Sequence, residues 1–242
     1  VFAEAGMEHA KEHGTTFEQF AKISVKNHHH STMNPKAMYQ IETPLDEVMN
    51  AEMISYPNTK LMCSVNVDGS AAAVLVSEKK AKELGMARAV KVRASAMASD
   101  PYTDRDLVMP DVNACTRLAA KDAYEQAGIG PEDVNLVELH DCFATAEMLH
   151  YENLGLCKDG EAGKMIDEGH VNLGGKVPVN VSGGLLSKGH PLGATGIANI
   201  YEICTHLRGE AGKRQVDGAR IGMTHVIGLG TACGIHILEK TS

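Results

Sequence analysis

The chain reads as an α/β protein. Residues 89–239 are predicted to run strand–helix–strand–helix–strand–helix–strand–strand, forming a βαβαβαββ unit with a mixed five-stranded sheet between helix layers. Three observations predict this. Apolar strand-like runs alternate with amphipathic helical runs through short connections, the pattern of βαβ units and a mainly parallel sheet. The helical runs stop at glycines, Gly128 and Gly155 among them. The strand ends carry histidine, cysteine and glycine, residue types suited to the carboxyl edge of an α/β sheet, where sites form.

The elements follow in order. Residues 2–26 have helical spacing, with Phe17, Phe20, Ala21 and Ser24 sharing a face. Asn27-His28-His29-His30 and the prolines Pro35, Pro44 and Pro57 then predict a loop-rich excursion with short helices, so residues 1–60 read as unlike the rest of the chain. Adjacent histidines on an irregular segment point in different directions, and no metal is expected there. Residues 61–76 read as two short strands around an Asp68-Gly69 turn, and 78–85 as a short helix closed by Gly85; together 61–88 form a second segment. Residues 89–242 make the C-terminal domain. Its strand 89–98 alternates Val90, Val92 and Ala94, and its helix 111–127 places Val112, Cys115, Leu118, Ala119, Ala123 and Ala127 on or near one face. Residues 134–139 form a strand of the buried parallel type, 144–154 a helix, 157–176 a polar loop and 177–181 a strand. A glycine-rich loop, Ser182 to Gly196, leads into a helix over 192–207. Strands 220–226 and 233–238 close the chain as an antiparallel pair around a glycine turn at 227–231.

Composition narrows the function classes. A chain of 242 residues with net charge −8 lacks the basic stripe of a nucleic-acid binder. No apolar run approaches the ~20 residues of a membrane helix. No secretory signal is read, and the start at Val1 without Met suggests numbering that begins inside a longer protein. The six cysteines, Cys63, Cys115, Cys142, Cys157, Cys204 and Cys233, include no CxxC pair, which argues against structural zinc and for reduced thiols.

Three strand ends are candidates for chemistry. Strand 134–139 ends in His140-Asp141-Cys142-Phe143 before a helix. Strand 177–181 ends in the loop holding His190 between Gly189 and Pro191. Strand 220–226 ends near Gly228 and Gly230. A helix start lowers a thiol pKa, so Cys142 is expected to exchange protons near neutral pH. Imidazole N–H groups and glycine amides can hold an oxyanion. Together these describe carbonyl chemistry on an acyl or enolate species. Taken singly, each has a plainer reading: a buried thiol, a strand-end histidine capping a helix, a glycine turn with a locally satisfied histidine.

The tetrad His140-Asp141-Cys142-Phe143 after Glu138-Leu139, the stretch from Asn180 to Gly196 with its Gly-His-Pro, the stretch from Arg208 to Val216, and His225-Val226-Ile227-Gly228-Leu229-Gly230 resemble the thiolases of the sterol-carrier-protein-x type along essentially the whole chain. The Gly-His-Pro stretch marks thiolases in general; the tetrad marks this subgroup. The resemblance implies a thiolase fold and reversible thiolysis of 3-oxoacyl-CoA, or the reverse Claisen condensation. It implies His190 as activator of a nucleophilic cysteine and Cys142 as acid/base on the α-carbon. It assigns oxyanion holes to His140, His190 and Gly228, and substrate contacts to Ser64, Ser182, Gly183 and Gly230. Residues 1–60 become the loop domain over coenzyme A, and 61–88 the end of the N-terminal half. Two departures stand out. None of the six cysteines is in the context of the family's nucleophile, which lies in an N-terminal half that this chain does not contain. Val226 stands where the family usually has Asn.

No cofactor and no metal are implied; coenzyme A thioesters enter as substrate. Expected partners are acyl-CoA, coenzyme A, the missing N-terminal half and further copies in a homodimer or homotetramer. Without its mate, the half-domain is expected to expose apolar surface. A bacterial cytoplasm is the simplest location, with peroxisome or mitochondrion as alternatives. Two other functions stay open: a non-catalytic thiolase-like subunit that binds acyl-CoA or lipid, and a thiolase-like retro-aldolase, which needs acid/base groups but no cysteine nucleophile.

Overall fold

A computed structural model describes residues 1–99, 111–228 and 231–241. The N-terminal region is more helical than its composition suggests. Helix α1 (Phe2–His13) ends at Gly14 in the left-handed conformation, and α2 (Phe17–Thr32) starts at a capping box in which Thr16 accepts from the Gln19 amide and Gln19 accepts from the Thr16 amide. The expected single helical run is therefore two helices. The second runs through the triple histidine, a stretch expected to be irregular, because buried partners satisfy its polar side chains. Helix α3 (Leu45–Asn50) and the short hairpin of β1 (Met53–Ser55) and β2 (Asn58–Thr59) follow.

The expected hairpin over 61–76 is absent. Cys63 bridges to Phe143 and Asn66 to His190, so this segment pairs with two distant loops instead of with itself. The Asp-Gly signal was local; the backbone partners available at the sheet edge decided the pairing. Helix α4 (Glu78–Glu83), capped by Ser77, matches the expected position and buries none of its residues.

The C-terminal region follows the predicted order closely. Strand β3 (Val90–Ser99), helix α5 (Val112–Ala127), β4 (Leu136–Glu138), α6 (Ala144–Asn153), α7 (Ala162–Asp167), α8 (Thr195–Leu207), β5 (Ile221–Gly228) and β6 (Ala232–Lys240) run in turn. The sheet order is β3-β6-β5-β4. β6 pairs antiparallel with β3 and β5, and β4 pairs parallel with β5 from Leu136 opposite Gly222. Residues 177–181 do not form a full strand, so four regular strands stand where five were expected. The segment still lies beside β4: Val137 and Val179 form a parallel bridge, the Val137 amide donates to the Pro178 carbonyl and the Asn180 amide to the Val137 carbonyl. Asn180, at φ 53°, then turns the chain away, which limits the pairing. Helix α7 stands in the stretch expected to be loop.

Helices cover both faces of the sheet. α5 packs on β3 and β6; α8 packs on β4, β5 and β6. Leu136, Val181, Ile203, Leu207 and Leu238 form the core under α8. A larger core of Ala, Val, Ile and Met joins α5, α6 and α2. Small residues let these layers approach closely: a Cβ on Gly222 would lie 2.5 Å from Ile203. Val74, Leu75 and Met97 are strongly exposed. Among the described residues no helix is long and apolar enough to cross a membrane.

Gly184 shows how tightly the site loops are locked. It has φ +61°, and a Cβ there would meet Asp141 Oδ2 at 2.0 Å. Gly184→Ala is expected to cost more than about 3 kcal/mol in urea denaturation, from strain and overpacking together. Gly14→Ala, also left-handed but with open space around it, should cost about 1–2 kcal/mol. Equal losses would show that the Asp141 side chain gives way.

Candidate active site

The ends of β4 and of the 177–181 segment meet. β4 delivers His140, Asp141, Cys142 and Phe143, with Phe143 extended ahead of α6. The Leu139 amide donates to Asn180 Oδ1 at 2.8 Å, which ties this loop to the end of the 177–181 segment. Residues 184–188 form one wide π-type turn whose Leu185 and Leu186 amides donate to the Asp141 carboxyl. That turn delivers Gly189 and His190. The His190 amide donates to the Val65 carbonyl at 2.8 Å, and the Ser64 amide to the Cys142 carbonyl at 2.9 Å. Residues 63–66 thus lace the cysteine loop to the histidine loop.

His140 and His190 meet edge to face, ring centroids 5.0 Å apart. Both are buried, and burial lowers both pKa values, His140 to about 3 with His190 adding to the shift. The Thr195 hydroxyl donates to the Pro191 carbonyl and lies 2.7 Å from His190 Nδ1. Nδ1 therefore carries the ring proton and Nε2 is left as a base. His140 Nδ1 has no hydrogen-bond partner among the described residues.

Cys142 is half-buried. Burial, and then the neighbouring Asp141, push its thiol far above the ordinary range; backbone amides oppose this only in part. The expectation of a near-neutral thiol is corrected: removal from water outweighs the helix start. Ser64 stands beside the Cys142 loop. Ser182 is fully buried, its amide and hydroxyl both donating to Glu138, and Gly183 is buried behind it. Gly228 ends β5 opposite Ala232. Gly230 and Leu229 lie outside the described residues.

Several residues that organise this site escaped the sequence reading. Lys26 on α2 pairs with Glu147 on α6 at 2.6 Å and donates to the Val179 carbonyl, with both side chains nearly dry. Asn27 donates to Asp141 Oδ2 and to Glu147 Oε2; Asn180 Nδ2 and the Tyr151 hydroxyl also donate to Glu147. Asp141 is pushed well above the usual carboxyl range, first by burial and then by Glu147. His225 accepts from the His140 amide at 3.4 Å, and His150 packs on His225 with ring centroids 4.2 Å apart. A charged residue inside an apolar run, as Glu138 and Glu147 are, was the available signal. The three imidazoles of the His28–His30 run face three different partners: Ser187, Glu42 and the Asn180 carbonyl.

Comparison with known proteins identifies the family. Residues 99–240 match the family described as thiolase C-terminal domain-like. Sterol carrier protein 2 of Oryctolagus cuniculus is 46% identical over 243 residues, covering 99% of this chain and 44% of the relative. An acetyl-CoA acetyltransferase of Methanothermobacter thermautotrophicus is 43% identical, covering 99% of this chain and 63% of the relative. The chain thus spans roughly half the length of these relatives. In fold it resembles an Ltp2-ChsH2(DUF35) aldolase, with a TM-score of 0.84, 24% identity and coverage of 98% of this chain and 62% of that one.

Two outcomes follow from the buried charges. Lys26→Met leaves Glu147 dry and unpaired and should cost about 3–5 kcal/mol; adding Glu147→Gln should recover much of it. Stability should also fall as pH drops below about 6.5. His30, His140 and His150 have folded pKa values near 3, below their unfolded value. The stabilisation is complete above the unfolded pKa and is lost as pH falls toward the folded one, about 2 kcal/mol per histidine at pH 5. Asp141, raised by folding, acts in the opposite sense but is one group against these three, with His206 and His225 lowered as well. Denaturation midpoints between pH 5 and 7 that do not fall with pH would contradict this.

Proposed function

The chain belongs to the thiolase family, in a form consistent with the sterol-carrier-protein thiolases, and from that premise we propose that it supplies the acid/base and oxyanion groups of an enzyme cleaving 3-oxoacyl-CoA with coenzyme A. The carrying observation is the buried edge-to-face pair of His140 and His190, with residues 63–66 hydrogen-bonded both to the loop of the half-buried Cys142 and to the His190 loop.

Each group has a role that its environment supports. His190, with Nδ1 toward Thr195, uses Nε2 to take the proton of a nucleophilic cysteine carried by another part of the complete protein. That cysteine attacks the 3-carbonyl carbon, and the oxyanion is held by imidazole N–H groups. As the C2–C3 bond breaks, Cys142 gives its proton to C2 and acetyl-CoA leaves. The Cys142 thiolate then takes the proton of the incoming coenzyme A thiol, whose sulfur attacks the acyl-enzyme; the bond to the nucleophilic cysteine breaks, the shortened acyl-CoA leaves, and that cysteine regains its proton from His190. A thiol with a high pKa is protonated at rest, the form the first transfer needs, and its thiolate is a strong base for the second. Gly228, at the end of β5, offers an amide for the second oxyanion. Ser64, with Gly183 and Gly230, is assigned to the substrate arm; Ser182 acts through Glu138 in holding the loop.

Cys142→Ala and His190→Ala in the complete protein should each lower thiolysis of an acetoacetyl-type CoA ester about 10²–10⁴-fold, with thermal midpoints close to the unaltered protein. A folded, fully active Cys142→Ala would remove that residue from the mechanism. Aldehyde release from a 3-hydroxyacyl-CoA without consumption of coenzyme A would favour the retro-aldol reading, and tight acyl-CoA binding without turnover the non-catalytic one.

A further inference from the structure

A cluster away from these loops has the composition of a metal site. His9 and His13 are four residues apart on α1 and share a face, ring centroids 4.7 Å apart. Glu152, in the last turn of α6, faces them. One nitrogen from each histidine and one Glu152 oxygen all lie within 4.8 Å of one another. His9 and Glu152 are buried, whereas His13 is exposed.

The surroundings prepare each donor. The Thr15 hydroxyl sits 2.8 Å from His9 Nδ1, so the other ring nitrogen, Nε2, faces Glu152 at 2.9 Å. This is the outer hydrogen bond that usually orients a metal-binding imidazole. The Gly160 and Ala162 amides both donate to Glu152 Oε1, which fixes the carboxylate and leaves Oε2 without a hydrogen bond among the described residues. Gly160, at φ +83°, lets the chain pass His13, since a Cβ there would lie 2.9 Å from His13 Nδ1.

We propose that His9, His13 and Glu152 bind a borderline divalent cation of the zinc class, stapling α1 to α6. Two imidazoles and one carboxylate are a common three-ligand zinc set, with the fourth position left to water. Ligands about 2.0–2.2 Å from one ion are at most about 4.2 Å apart, so the exposed His13 ring alone has to swing inward. Nitrogen and oxygen donors at this spacing favour Zn²⁺ and its later-row neighbours over Mg²⁺ or Ca²⁺. The site lies outside the proposed catalytic loops, and its failure would leave the thiolase reading untouched.

The test uses the intact, untagged protein, stripped with a chelator and titrated with Zn²⁺ by calorimetry, with Co²⁺ as an optical probe. One equivalent should bind and raise the thermal midpoint. Co²⁺ should give visible bands of a low-coordinate nitrogen and oxygen site, without the near-ultraviolet charge-transfer band of a thiolate. His13→Ala, an exposed change that leaves the fold intact, should weaken binding about 100-fold and abolish the midpoint shift. Glu152→Gln should do the same if it folds. No binding would mean that His9 and Glu152 form a plain hydrogen bond. Binding that survives His13→Ala, or a thiolate band, would place the ion elsewhere and overturn the proposal.

Discussion

Glu147 has no access to water, and most of this structure is arranged around that fact. A dry carboxylate is tolerable only when charge and hydrogen bonds replace its lost hydration. Lys26 supplies the charge; Asn27, Asn180 and Tyr151 supply the bonds. These residues come from α2, the end of the 177–181 segment and α6. Satisfying one side chain therefore fixes three parts of the chain relative to each other. Asn27 extends the network to Asp141, and Asp141 in turn accepts from the Leu185 and Leu186 amides of the wide turn that delivers His190.

This explains why the site loops have so little freedom. The cysteine loop, the histidine loop and α2 share one buried polar cluster, while residues 63–66 stitch the two loops from the other side. A half-satisfied network of this kind would be worse than an apolar core, whereas a satisfied one specifies a single arrangement. The loop positions of His140 and His190 are thus inherited largely from groups that touch neither ring.

Burial also sets the electrostatics. Every imidazole near the centre is held neutral, and the Cys142 thiol is held protonated. A helix start is a weak influence on a group that has lost its water. The resting site is uncharged at its reactive atoms, and charge has to arrive with a substrate or a nucleophile.

The order of elements from β3 to β6, the glycine stops and the reactive strand ends were legible because they rest on local rules: periodicity, capping and the chemistry of a few residue types. The tetrad around Cys142 and the Gly-His-Pro loop were enough to name the family. Other features were not local. The helix through the triple histidine, the pairing of Cys63 and Asn66 with distant loops, the reduced fifth strand at 177–181 and the high pKa of Cys142 each depend on what lies across space. Lys26 and Glu147 look like surface charges in sequence, 121 residues apart. By itself the sequence determined which residues could do chemistry and on which strand ends they stand. Only the tertiary structure decided which are dry, which nitrogen carries a proton and which distant groups hold them, because desolvation and buried hydrogen bonds exist only once the layers have packed.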